Sequence, residues 1–277
     1  DQGPACLRSM VCPYHQWTYG LEGELRNVPR QESFTDLDLE DLSLVPVPTE
    51  VRDNLIWIKA SPGGSMDLDT HLAGLDRDLA IFQLADYHFC QQSVRNIQCN
   101  WKLVQDAFLD GYHVVRLHKN TVGPFFPDAL AETDLIGDHT RSAVARKEIA
   151  EAETLPDEAL DLRQHCTFSY TVFPNAVLIF HPEYTSIISL FPVSAGETVF
   201  VHSMLTPKPP RSDVERDHFH RSFELIDKGV FEAEDIFVSV GAQLGMQSGA
   251  NEHLLFGSLE EAAVRFHRII ERELAGE

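Results

Sequence analysis

The spacing of apolar and polar residues divides the chain into a strand-rich first part and a mixed second part. Residues 16–20 alternate as a strand, and 21–25 read as its turn and return. An acidic stretch over 32–41 is expected to be a surface loop, closed by Val45-Pro46-Val47-Pro48. The run Leu55-Ile56-Trp57-Ile58-Lys59 predicts a buried strand, and Ser61-Pro62-Gly63-Gly64-Ser65 has the composition of a linker. A boundary there gives residues 1–60 as a small all-β unit, 61–94 as linker and connecting segment, and 95–277 as a larger unit.

In the larger unit, Leu103, Phe108 and Tyr112 sit at helical spacing and predict a helix over 100–118. Residues 121–163 are acidic and loop-prone, and long enough without structure to suggest a mobile lid. Four runs then read as strands with short turns, over 165–173, 176–181, 185–191 and 197–205, which predicts an antiparallel meander. Ser212-Asp213-Val214-Glu215 has capping-box form and opens a helix to about 227. A further helix is expected over 232–243. Ser258-Leu259-Glu260-Glu261 has the same form and opens the last helix, which is expected to bury Ala263, Phe266, Ile270 and Leu274. The fold class is α+β, a curved antiparallel sheet with helices packed on it.

The 277 residues carry 43 acidic and 22 basic side chains, a formal charge of −21. That balance excludes a phosphate-backbone binder, which needs a basic footprint. It fits a solvated surface or a docking face for a basic partner. No apolar run approaches the roughly 18 residues that span a bilayer. No basic start leads into an apolar stretch, and the five cysteines lack scaffold-like spacing. A cytoplasmic protein with reduced or metal-bound thiols is expected.

Two constellations carry chemistry. Cys12-Pro13-Tyr14-His15 places a thiol and an imidazole within one turn, suited to a shared metal site. In the second, Asn100-Trp101-Lys102 leads to Asp106, Asp110, His113 and His118. On a regular helix Asp106, Asp110 and His113 share a face. His118 would point elsewhere unless the helix breaks near Val115. Trp101 and Tyr112 are expected to pack.

The string from Cys12 through Leu25, C-P-Y-H-x-W-x-Y-x-L-x-G-x-L, resembles the second ligand pair of a Rieske iron–sulfur domain. The pattern N-W-K-x3-D-x3-D-x2-H-x4-H resembles the mononuclear iron motif of Rieske non-haem iron oxygenases, the aromatic-ring-hydroxylating alpha subunits. That resemblance implies part of a Rieske domain followed by a catalytic domain of helix-grip, START-like form. It implies a 2Fe-2S cluster, with Cys12 and His15 as half of its ligands, and a mononuclear Fe(II) on His113, His118 and Asp235, with Glu234 the rival third ligand. A chain that starts at Asp1, with Arg8 two places after Cys6, is expected to lack an upstream Cys-x-His pair and to be inactive alone.

By the same resemblance, Asp110 bridges to the Rieske centre of a neighbouring subunit in a homotrimer, and Asp106 tunes that network. Electrons come from NAD(P)H through a ferredoxin or flavin reductase, and a beta subunit is an open partner. The substrate is a small organic, aromatic molecule that is hydroxylated or oxidatively demethylated with O2, in a pocket lined by Phe108, Leu109, Ile179, Phe180 and Phe237. Two alternatives stand beside this reading. One is a zinc hydrolase on the same three ligands. The other is a non-catalytic cup for an apolar ligand, in which those three would not cluster.

Overall fold

The computed structural model describes residues 6–34, 38 and 40–276. Contacts divide the chain into Asp1–Leu68 and Asp69–Glu277. In the first unit β1 (Met10–Val11), β2 (Thr18–Tyr19) and β3 (Leu25–Asn27) form an antiparallel sheet in that order. β4 (Thr49–Arg52) and β5 (Leu55–Ile58) form a separate hairpin. Its two turn residues, Asp53 and Asn54, both have positive φ, 53° and 62°, a conformation that Asp and Asn tolerate and a tight hairpin requires. This hairpin departs from the expected buried strand. Ile56 and Ile58 are 70% and 61% exposed, because a two-stranded ribbon covers only the face bearing Leu55 and Trp57.

The second unit is built on a seven-stranded sheet of order β6-β12-β11-β10-β9-β8-β7. Its strands are β6 (His88–Ile97), β7 (Ala131–Ile136), β8 (His139–Ala145), β9 (Cys166–Val172), β10 (Ala176–Phe180), β11 (Thr185–Ser194) and β12 (Glu197–Thr206). Every pairing is antiparallel, and β7 to β12 run as successive neighbours. β6, first in sequence, closes the far edge against β12. Two expectations are corrected. Residues 69–94 belong to this unit, supplying the helix Leu75–Ile81 and most of β6. Residues 121–163 are no structureless insert, since β7 and β8 lie within them; the acidic side chains of β7 are exposed on an edge strand, which hides its alternation.

Strand alternation separates two faces. Phe168, Tyr170 and Phe180 meet Phe82 on one face, with the Phe82 and Phe180 rings stacked at 4.0 Å. On the other, Val177, Ile188, Leu190 and Phe200 pack with Val104, Ile226, Val230 and Phe231 from the helices. Those helices include Trp101–Leu109 and a continuous helical run from Asp213 to Gln247. Its middle, Leu225–Ile236, is π-helix. There i→i+5 bonding widens each turn, so the buried pairs Ile226/Asp227, Val230/Phe231 and Asp235/Ile236 share a face. Two separate helices were expected here, and the wider turn explains why a 3.6-residue pattern breaks phase.

Helix starts follow their caps. Ser212 accepts from the Glu215 N–H, as its spacing predicts. At the last helix the cap sits one residue earlier than expected, the Gly257 N–H donating to Glu260. That helix, Glu261–Ala275, buries Ala263, Phe266 and Ile269, whereas Ile270 is half-buried and Leu274 is 84% exposed.

Candidate active site

The helix Trp101–Leu109 is capped by Asn100, whose side chain accepts from the Lys102 N–H. It stops at Asp110, which takes extended geometry, and the Asp110 carboxylate accepts from the Tyr112 N–H to close an Asx turn. A single helical turn, Val114–Leu117, follows, with His113 at its N-cap and His118 at its C-cap. The break therefore falls at residues 110–112, ahead of His113, and the turn around Val115 is intact. Asp106, Asp110 and His113 consequently do not share a helix face.

The two histidines converge on Asp235 of the π-helix. His118 Nε2 lies 3.3 Å and His113 Nε2 3.6 Å from Asp235 Oδ1. One ligand atom from each of the three residues falls within 4.8 Å of the other two. Each ring is held from behind. His113 Nδ1 is 3.3 Å from Asp110 Oδ2, and His118 Nδ1 is 2.7 Å from Glu234 Oε2. Thr121 Oγ1 donates to the same Glu234 oxygen at 2.7 Å. Glu234 thus stands behind His118, on the side away from Asp235, because adjacent residues of a helix point in different directions.

Electrostatics favour a cation between these groups. Burial alone would raise Asp110, but the His113 ring and neighbouring N–H groups outweigh it and hold its carboxyl low, so it stays ionised. Burial alone would lower His118, yet the Asp235 and Glu234 carboxylates outweigh it and push it up. Asp235 Oδ1 is buried and has no hydrogen-bond partner, an arrangement that costs stability unless something positive meets it. Two imidazole nitrogens and one carboxylate oxygen form a facial set for Fe(II), so the residues present fit that metal.

The other expected residues are distributed as follows. Asp106 accepts from His267 Nε2 at 2.9 Å, bonded to the last helix rather than to Asp110 or His113. Trp101 packs edge-on against Phe266. In the first unit Cys12 and His15 bracket one exposed turn, closed by the Cys12 N–H on the Trp17 carbonyl at 2.8 Å. That turn carries the two residues expected to be half of a Rieske ligand set, and these 277 residues contain no Cys-x-His pair.

A cavity of 1110 Å³ in the second unit reaches the triad. Phe108, Leu109 and Ile179 line it, joined by Tyr112, Phe125, Phe126 and Phe231. Two expected lining residues are absent from its wall. Phe180 is buried on the opposite sheet face against Phe82, and Phe237 is 72% exposed. Arg146, His181 and Tyr184, which sequence reasoning passed over, also line the cavity.

Residues 84–276 match the family described as the ring hydroxylating alpha subunit (catalytic domain), and residues 2–48 match the Rieske [2Fe-2S] domain. The chain belongs to the Rieske non-haem iron oxygenase alpha subunits, a family whose two domains imply a Rieske cluster and a mononuclear iron. It is 22% identical over 277 residues to choline monooxygenase from Arabidopsis thaliana, covering 95% of this chain and 63% of that protein. It is 28% identical over 156 residues to the glycine betaine monooxygenase oxygenase subunit from Pseudomonas aeruginosa, covering 54% of this chain and 35% of that protein. The crystal structure of the quaternary ammonium Rieske monooxygenase CntA superposes with a TM-score of 0.79 at 17% identity, covering 97% of this chain and 73% of that one. This chain therefore spans less than two thirds of the plant relative. All three proteins are named for quaternary ammonium compounds, so the expected aromatic substrate is not carried forward. The clustering of His113, His118 and Asp235 also sets aside the non-catalytic cup. Among the described residues no helix is long and apolar enough to cross a membrane.

Proposed function

We propose that this chain is the catalytic part of a terminal oxygenase that acts with O2 on a small quaternary ammonium substrate. The observation that carries the metal assignment is Asp235 Oδ1, buried without a partner and facing two imidazole nitrogens. His113, His118 and Asp235 would hold Fe(II), which supplies O2 activation when it is bound and furnished with electrons. Asp110 and Glu234 orient the two rings through Nδ1 and leave each Nε2 for the metal. The π-helix and the turn Val114–Leu117 keep His118 and Asp235 buried and His113 partly so, which limits water at the reacting atoms. Phe108 and Phe231 line the cavity, and aromatic rings suit a cation without hydrogen-bond donors.

Electrons would arrive from a ferredoxin or flavin reductase, in a trimer where Asp110 faces a neighbour's Rieske centre. The test uses a protein carrying a Cys-x-His pair together with the Cys12-x-x-His15 pair, with a reductase and NAD(P)H. Oxygen uptake should rise with choline or glycine betaine and should not rise with naphthalene. Uptake that responds only to aromatic compounds would refute the substrate assignment. Asp110→Asn should keep both metals yet lose coupled turnover; retained coupling would remove Asp110 from the electron path.

A further inference from the structure

At one end of the large sheet, β8 and β10 stop where β9 and β11 begin, as their antiparallel registers require. That convergence puts Arg146, Thr167, His181 and Tyr184 in one corner of the cavity. The Arg146 side chain is 19% exposed, and its guanidinium lies 5.6 Å from the Phe125 ring and 5.7 Å from the Phe126 ring. A guanidinium carries five donors. Here its side-chain hydrogen bond is a long one, 3.4 Å to Thr167 Oγ1. The nearest acidic oxygen, Glu148 Oε2, is 4.0 Å away on a half-exposed side chain. His181 beside it has Nε2 withdrawn from solvent with no hydrogen-bond partner. Burial, with the charges of Arg146 and His202, lowers the His181 pKa to about 3, so the ring is neutral at ordinary pH. A partly buried guanidinium with donors to spare and a buried, unpartnered imidazole nitrogen thus border the same corner of the cavity, and the unpartnered nitrogen is costly unless a ligand meets it.

We infer that this corner is a carboxylate-binding subsite, in which Arg146 pairs with a substrate carboxylate and His181 Nε2–H donates to it. One guanidinium compensates one negative charge, and its planar fork matches a carboxylate. A dianionic phosphate would leave a net charge between Phe125, Phe126 and Ile179. Resting on the quaternary ammonium reading, the subsite narrows the substrate to a zwitterion, a betaine rather than an amino alcohol such as choline.

The test is titration calorimetry on the full chain with glycine betaine, choline and benzoate as probes. Arg146→Gln should weaken glycine betaine binding about tenfold or more and leave choline binding unchanged. Arg146→Lys, which keeps the charge but not the fork, should fall between. His181→Gln should weaken glycine betaine by a smaller factor, and it keeps the test open if Arg146→Gln does not fold. Equal weakening of both ammonium probes, unchanged affinity in every folded variant, or no binding of either carboxylate would overturn the subsite. If benzoate binds and depends on Arg146 while neither ammonium compound binds, the subsite stands and the ammonium reading falls.

Discussion

Asp227 is the anchor that holds the π-helix carrying Asp235 to the sheet, and Asp227→Ala tests this. Its side chain is 2% exposed and accepts from Ser93 Oγ, from His202 Nδ1 at 3.0 Å and from the Arg95 guanidinium. His202 continues the network to Ser186 Oγ at 3.0 Å, and its ring stacks on Phe223 at 4.7 Å. Alanine would strand a buried imidazole N–H and a serine hydroxyl. Arg95 keeps Glu232 at 3.0 Å and the Asp227 carbonyl at 3.2 Å, so its charge is not left alone. Removing one partner of a buried charged network costs about 3–5 kcal/mol. At roughly 2–4 °C per kcal/mol for a unit of this size, Tm should fall by roughly 6–20 °C. Asp227→Asn, which keeps an acceptor for His202, should cost about half as much. Circular dichroism melts of the metal-free chain read the shift, and metal affinity should fall with it because Asp235 lies on the same helix. A Tm change under about 3 °C for Asp227→Ala would refute the anchoring role.

Three further outcomes are expected. His139 and His202 are fully buried, and burial holds both below the usual histidine range, so protons bind the unfolded chain more readily. Their stabilisation is complete above about pH 6.5 and is lost below it, at up to about 1.4 kcal/mol per pH unit each. The raised His118 and His267 contribute stability that is present below about pH 6.5 and is lost only above it, so they add little slope here. Urea midpoints of the metal-free chain should therefore drop between pH 6.5 and 5, and a flat profile would contradict this. Gly123→Ala would put a Cβ 2.8 Å from the His118 carbonyl oxygen, costing about 1–3 kcal/mol and weakening metal binding; unchanged stability and metal affinity would show that the loop yields freely. Glu234→Gln should weaken metal affinity by about 10–100-fold while the chain stays folded, whereas complete loss would make Glu234 a ligand rather than the support of His118.

Much of this was legible in the sequence, for physical reasons. β9 to β12 stand out as apolar-rich runs bounded by turn residues because one face meets the helices and the other a second apolar layer, so their ends were placed within a few residues. His113, His118 and Asp235 were singled out because their types and order are restrictive, and the structure brings the three together. What stayed hidden depends on geometry that only folding creates. The π-helix defeats a 3.6-residue pattern, β7 exposes its acids on an edge, and Phe237 is an apolar side chain left at the surface. Asp106 was expected on the same helix face as Asp110, but the helix ends between them and Asp106 bonds His267. Arg146 and His181 lie far apart in sequence and meet only through the register of neighbouring strands.

The central claim is that His113, His118 and Asp235 form one Fe(II) site. An anaerobic Fe(II) titration of the chain tests it most directly, with Asp235→Ala and His113→Ala beside the wild type. One tightly bound iron per chain at a non-sulfur site, lost in both variants, is the expected result. Undiminished binding in Asp235→Ala, or no mononuclear iron in the wild type, would contradict the account.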